Sequence, residues 1–123
     1  MIQLRTIVKV ADNTGVRRAA CFKVYGGYQK RYGRIGDIIA LSVKEAVPHS
    51  MVKKGEVLHA VIVRTRKEMK RKDGTYVRFG DNAVVIIDKK TKEPKGTRIF
   101  GPIPREIKNL GYNKIASLAP EVL

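Results

Sequence analysis

The apolar residues of this chain come in short runs, rich in Val and Ile and parted by glycine or proline turns. Runs of that length and composition make strands rather than helices. The first strand is predicted over residues 4–10, with Val8 and Val10 alternating against Lys9. Asp12-Asn-Thr-Gly15 turns the chain into a second strand over 18–24, in which Ala20, Phe22 and Val24 share one face and Cys21 and Lys23 the other. Gly26-Gly27 breaks it. Gly36-Asp37 opens a third strand, 38–46, which Pro48 ends because proline cannot donate to a ladder. Lys54-Gly55-Glu56 opens a fourth, and residues 83–87 form the fifth. Five short strands joined by tight turns predict a mainly β fold, a small five-stranded barrel whose closure removes exposed strand edges.

The fourth strand carries the most distinctive stretch. The apolar residues 57–63 run without a break into a cationic segment, 64–79, holding Arg64, Arg66, Lys67, Lys70, Arg71, Lys72 and Arg78 against only Glu68 and Asp73. Asp73-Gly74 suits a tight turn that needs positive φ. The reading is a projecting β-ribbon with its base in the core and its tip in a field of negative charge. An arm of about seven residues spans roughly 23 Å at the usual strand rise.

The 123 residues fit one domain, 1–123, divided into a barrel over 1–87 that includes the ribbon 64–79, and a loop with two small C-terminal helices over 88–123. Pro104 suits the first turn of a helix over 104–111 and Gly111 its left-handed stop, with Ile107 and Leu110 on one face. A second helix runs from Asn113 through Leu118, ahead of Pro120. Both are too short to stand alone and must pack on the barrel or a partner.

Net charge is +15, and it is not the work of a tail: residues 1–62 carry +7 and residues 63–123 carry +8. A globule so charged repels itself unless a polyanion offsets the field, and nucleic acid is the commonest one. Cys21 is the only cysteine, so no internal disulfide forms and a reducing compartment is favoured. It reads as a small apolar residue in a strand. One cysteine with His49 and His59 does not make a zinc set. No apolar run approaches ~18 residues, so no membrane span is expected. The N-terminal residues lack the order of a signal peptide and read as strand.

Enzymatic constellations are missing. Neither a P-loop nor a Gly-x-Ser-x-Gly elbow occurs, and Asp12, Asp37, Glu56, Asp73 and Asp81 adjoin turns. The chain is read as no enzyme and as needing no cofactor or metal. The cationic surfaces are the candidates instead. Beside the ribbon lies 23–34, where Lys23, Lys30, Arg31 and Arg34 interleave with Tyr25, Tyr28 and Tyr32 and no acid intervenes. Basic groups neutralise phosphates, and flat rings stack on unpaired bases. Lys53 and Lys54 form a weaker pair, as do Arg17 and Arg18, and Lys89, Lys90, Lys92 and Lys95 serve equally well to solubilise a loop. With about six phosphates contacted, log affinity falls against log salt at near −0.9 per phosphate on a duplex. No recognition helix is visible, so shape-driven contact with folded RNA fits better than a DNA groove. A free single-strand nucleic-acid-binding barrel module is the alternative.

The assembled motifs resemble a known family. Ala60-Val-Ile-Val, nine residues, Asp73-Gly74, four residues, Phe79, two residues, Asn82, two residues and Val85-Ile86 resemble the signature of the universal large-subunit ribosomal protein L-fourteen family, in its bacterial form. So do Val10-Ala-Asp-Asn-Thr-Gly15, Tyr32-Gly-Arg-Ile-Gly-Asp37, Val43-Lys-Glu-Ala46, Gly96-Thr-Arg-Ile-Phe-Gly-Pro102 and Ser117-Leu-Ala-Pro-Glu-Val-Leu123. The chain departs from the pattern at Pro48-His-Ser-Met-Val52, at Gly80 and at Asn109-Leu-Gly-Tyr-Asn113. The resemblance implies a structural constituent of the large ribosomal subunit in the cytoplasm, or in an organellar ribosome, bound to large-subunit rRNA. It also implies an intersubunit bridge with small-subunit rRNA and contacts with ribosomal proteins L-nineteen and L-three. A docking surface for the ribosome silencing factor is implied too, carried onto Thr97, Arg98, Lys114 and Ser117.

Overall fold

The structure is a computed structural model that describes residues 2–26, 31–50 and 52–123. Strands β1 (Ile7–Val10), β2 (Val16–Val24), β3 (Ile38–Ala46), β4 (Val57–Arg64) and β7 (Ala83–Ile87) close a barrel in the order β1-β2-β3-β4-β7. Neighbours are antiparallel except at the closure, where β1 runs parallel to β7 through Lys9↔Ala83 and Val10↔Val84. The expected closed barrel is present, and β3 and β7 have the predicted bounds.

Two expectations about the early strands need correction. β1 starts at Ile7 rather than at residue 4, because Arg5 takes a φ of 70° and Gln3 and Thr6 close a turn around it. β2 breaks the predicted alternation: Cys21 and Val24 both lie in the core, while Phe22, 47% exposed, and Lys23 both face out. The cause is a pair of bulges, near Arg17-Arg18 and at Phe22, where the register against β3 slips. A bulge inserts one residue and so inverts every side chain after it.

Two apolar cores result. Val8, Val10, Ala19, Cys21, Leu41, Ala60, Ile62, Val84 and Ile86 fill the barrel. The opposite faces of β4 and β7, through Val61, Val63, Val85 and Ile87, meet Ile99, Ile103, Ile107 and Ile115 outside it. These two strands are therefore buried on both sides, which is why they read as unbroken apolar runs. The outer layer is the C-terminal segment, with α1 (Arg105–Asn109) and α2 (Asn113–Leu118). Gly111 takes a φ of 99° and ends the first helical turn as predicted. Ile107 is fully buried, whereas Leu110 is 59% exposed, so the two do not share a buried face. Leu110 closes the last turn of α1 through its amide on Glu106 O, but its side chain lies over Gly36 rather than in the outer core with Ile107.

Asp12 fastens the barrel closure. Its Oδ1 accepts from the Thr14 amide and hydroxyl, and its Oδ2 accepts from the Ile86 amide at 3.0 Å. Burial pushes its carboxyl above the ordinary value, against those three hydrogen bonds. The sequence reading gave Asp12 only a turn; the structure adds the tie to β7.

Candidate nucleic-acid interface

The ribbon is shorter and better anchored than the sequence suggested. β5 (Met69–Lys70) and β6 (Tyr76–Val77) pair antiparallel through Met69↔Val77 and Lys70↔Tyr76, as a sheet separate from β4. The predicted turn is present. Gly74 has a φ of 91°, Asp73 Oδ1 accepts from the Thr75 amide and hydroxyl, and the Arg71 amide donates to Thr75 O. At the base, Thr65 Oγ1 donates to the Lys67 carbonyl and the Phe79 amide to Thr65 O. A two-rung ladder is too small to persist alone, and Met69 and Phe79 rest on the outer core.

Of the ribbon's seven cations, Arg66, Lys67, Lys70, Lys72 and Arg78 are exposed. Arg64 and Arg71 are corrections to the RNA-facing set, because both guanidiniums turn inward. The Arg64 side chain is 7% exposed. Its Nη1 donates to the carbonyls of Phe100 and Pro102, its Nη2 to Asp81 Oδ2, and its Nε lies 3.0 Å from Asp81 Oδ1 without hydrogen-bond alignment. Arg71 sits 2.7 Å from Glu106 on α1 and donates to the carbonyl of Leu123 at 2.7 Å. Both hold the C-terminal segment against the ribbon.

The second cationic segment meets the first. Residue 33 exchanges two backbone hydrogen bonds with Ile2, and Arg34 donates its amide to Asp37. Arg31, Tyr32 and Arg34 are thereby held exposed, and Arg34 lines a cleft of about 260 Å³ with Lys67 and Lys70 at the ribbon base. Tyr28 and Lys30 lie outside the described residues. Lys23 is exposed at the end of β2, and Lys53 and Lys54 are exposed ahead of β4.

A larger groove, of about 1180 Å³, escaped the sequence reading. Lys9, Arg17, Arg18, His49, Arg66 and Phe100 contribute to it. Arg17 and Arg18 share Glu45, at 3.7 and 2.6 Å, and such exposed pairs hold their charge only loosely. The signal was present in Arg17-Arg18, but only the bulge, which leaves both exposed, shows that the two point outward.

The remaining candidates sit on two elements. Asn13 grips the segment after the loop: its Nδ2 donates to Thr97 Oγ1, and its Oδ1 accepts from the Thr97 and Arg98 amides. The Thr97 hydroxyl is thus engaged in the fold, while Arg98 lies 5.5 Å from the Phe100 ring. On α2, Lys114 reaches Glu93 at 3.8 Å and Ser117 donates to the Lys114 carbonyl. Thr97, Arg98, Lys114 and Ser117 are all exposed.

Among the described residues there is no cluster of His, Cys, Asp or Glu suited to a metal, and no helix is long and apolar enough to cross a membrane. What the geometry offers is a rigid barrel with exposed cations on the ribbon and at its base. The model of one family, ribosomal protein L14p/L23e, matches residues 1–123. The chain belongs to that family of structural, non-enzymatic proteins of the large ribosomal subunit.

Proposed function

We propose that the chain clamps large-subunit rRNA between its ribbon and its 31–34 loop. The observation that carries this reading is the cleft in which Arg34 from the loop stands with Lys67 and Lys70 from the ribbon. Two segments far apart in sequence bring three cations to one cleft, where Glu68, 3.4 Å from the Lys67 ammonium, offsets one of them and leaves a positive excess. Such convergence raises self-repulsion unless a polyphosphate lies between them. RNA-facing residues are Arg31, Tyr32, Arg34, Arg66, Lys67, Lys70, Lys72 and Arg78, with Lys23, Lys53 and Lys54 as outlying contacts.

The exposed ribbon tip, Lys72-Asp73-Gly74, is the element best shaped to reach small-subunit rRNA in an intersubunit bridge. Ribosomal proteins L-nineteen and L-three are neighbours in this reading, and the ribosome is cytoplasmic. Arg98, Lys114 and Ser117, with the outer face of Thr97, form the docking surface for the ribosome silencing factor.

Sedimentation tests the reading. The chain is expected to cofractionate with large subunits and to stay bound at moderate salt. Alanine at Arg66, Lys70 and Lys72 together weakens rRNA association while the fold survives, since exposed substitutions usually cost under about 0.5 kcal/mol. Free chain at the top of the gradient, or preference for simple oligomers over folded rRNA fragments, defeats the proposal; the latter favours the single-strand module. Alanine at Thr97 and Arg98 impairs silencing-factor docking without blocking assembly, and unchanged docking removes them from that surface.

A further inference from the structure

Tyr25, just beyond β2, is the centre of a cluster built from three parts of the chain. The ammonium of Lys23 lies 4.9 Å from its ring centroid and that of Lys89, from the 88–95 loop, 4.5 Å. Its hydroxyl is 3.2 Å from Nε2 of His59 on β4, and the two rings stand 5.7 Å apart at 34°. Two ammoniums are thus gathered at one ring, within about a Debye length of each other (~10 Å). Among the described residues neither has a carboxylate within ion-pairing distance. Asp88 is the nearest acid by sequence, and its Oδ1 is engaged by the Lys90 amide. A ring attracts one cation over its face. Two ammoniums at one ring, with the nearby carboxylate of Asp88 not paired to either, leave an excess of positive charge that suits an anion.

We infer that Lys23, Tyr25, His59 and Lys89 form a seat for a single RNA phosphodiester, in which both ammoniums pair with the anionic oxygens. This seat rests on the rRNA-binding reading above and adds a contact remote in sequence from the ribbon. The Tyr25–His59 pair gives it a signature. In the free protein, burial and then the charges of Lys89 and Lys95 hold His59 below its ordinary value, with Asp88 opposing. Its strand partners, Ala40 on β3 and Ile87 on β7, carry no charge. A phosphate seated on Lys23 and Lys89 offsets the Lys89 charge that opposes a proton on His59. His59 then takes a proton from solvent at Nε2 and keeps it, its N–H donating a hydrogen bond to the Tyr25 oxygen, which frees the phenol O–H to donate to the phosphate.

The test titrates the whole chain with hexauridylate, and separately with inorganic phosphate, while NMR follows the His59 ring and the Lys23 and Lys89 side chains. Hexauridylate is expected to shift all three and to raise the His59 midpoint. Removing both lysines together (Lys23→Ala with Lys89→Ala) lowers the salt slope of binding by about 0.7, the value of one single-strand phosphate. Lysines serving separate phosphates lose about 1.4 instead. That result, an unchanged slope, or silent His59 signals overturns the shared seat. An equal response to inorganic phosphate at the same concentration overturns its assignment to RNA. If the double variant binds folded rRNA as the unaltered chain does, the seat fails while the rRNA reading stands.

Discussion

Arg64 separates the two uses of positive charge in this fold, so its removal is the sharpest test. Methionine at this position keeps the aliphatic stem and deletes the guanidinium. Three hydrogen bonds disappear, to Phe100 O at 2.9 Å, Pro102 O at 3.2 Å and Asp81 Oδ2 at 3.3 Å. Breaking a buried pair by removing one partner costs about 3–5 kcal/mol. Asp81 is 36% exposed and rehydrates, and so does the carbonyl beside half-exposed Phe100, which lowers the figure. The expected loss is about 2–4 kcal/mol. For a chain of this length that is a fall in Tm of about 8–16 °C, taking roughly 4 °C per kcal/mol. Urea denaturation of the purified chain reads the loss, and a salt titration of rRNA binding completes the experiment. The salt slope should be unchanged, because this cation neutralises no phosphate. Arg66→Met reverses the pattern: stability moves by under about 0.5 kcal/mol and the slope falls by about 0.9. If Arg64→Met leaves stability within about 0.5 kcal/mol and takes the slope with it, Arg64 faces RNA and the reasoning is wrong.

Gly101→Ala should destabilise by more than about 1 kcal/mol, since φ is 82° and an added Cβ would meet the Arg64 guanidinium; thermal melts check it, and an unchanged Tm contradicts it. His59 is held below its ordinary value in the fold, so the unfolded chain binds more protons there and stability falls as pH drops below about 6.5. In His59→Gln that part of the slope disappears from denaturation curves taken between about pH 7 and 5. Glu106→Gln removes an acid, so charge alone predicts tighter RNA binding. Loss of the Arg71 anchor predicts weaker binding through a looser ribbon, and a weaker complex with faster amide exchange at Arg71 is the expected result.

Much of the scaffold was legible because its boundaries are chemical. Gly36-Asp37 and Pro48 bracket β3, and Asn113 and Pro120 bracket α2, so their positions follow from local rules. The phase of β2 was not legible. Bulges at Arg17-Arg18 and Phe22 depend on pairing with β3, and nothing in the residues 16–24 marks them. The unbroken runs 60–63 and 83–87 did carry an unused signal: a strand with no polar face has cover on both sides, which calls for a second layer such as the C-terminal isoleucines. The same logic applies to Arg64. A cation at the end of a doubly covered strand has little access to water, so a partner such as Asp81 is required. Arg71 offered no such hint, because Glu106 lies 35 residues away and α1 had no predicted orientation.

The division of the ribbon's cations follows from mechanics. A ladder of two rungs cannot hold a charged tip in place, and a tip that wanders must be ordered again by each contact it makes, which weakens binding. The fold answers by turning two arginines inward as fasteners and leaving five cations outward. Arg64 grips the 100–102 segment, Arg71 grips α1 and the final carbonyl, and the Ile103↔Val122 bridge ties those pieces together. Under the proposed function, the RNA-binding and protein-docking surfaces thus share one small outer layer over β4 and β7. The polar ties between the C-terminal segment and the ribbon are the guanidiniums of Arg64 and Arg71, beside the apolar contacts of Met69 and Phe79. Coupling between the two proposed surfaces should therefore weaken in Arg71→Ala, which removes the contacts to Glu106 and Leu123, and vanish only when Arg64→Met is added.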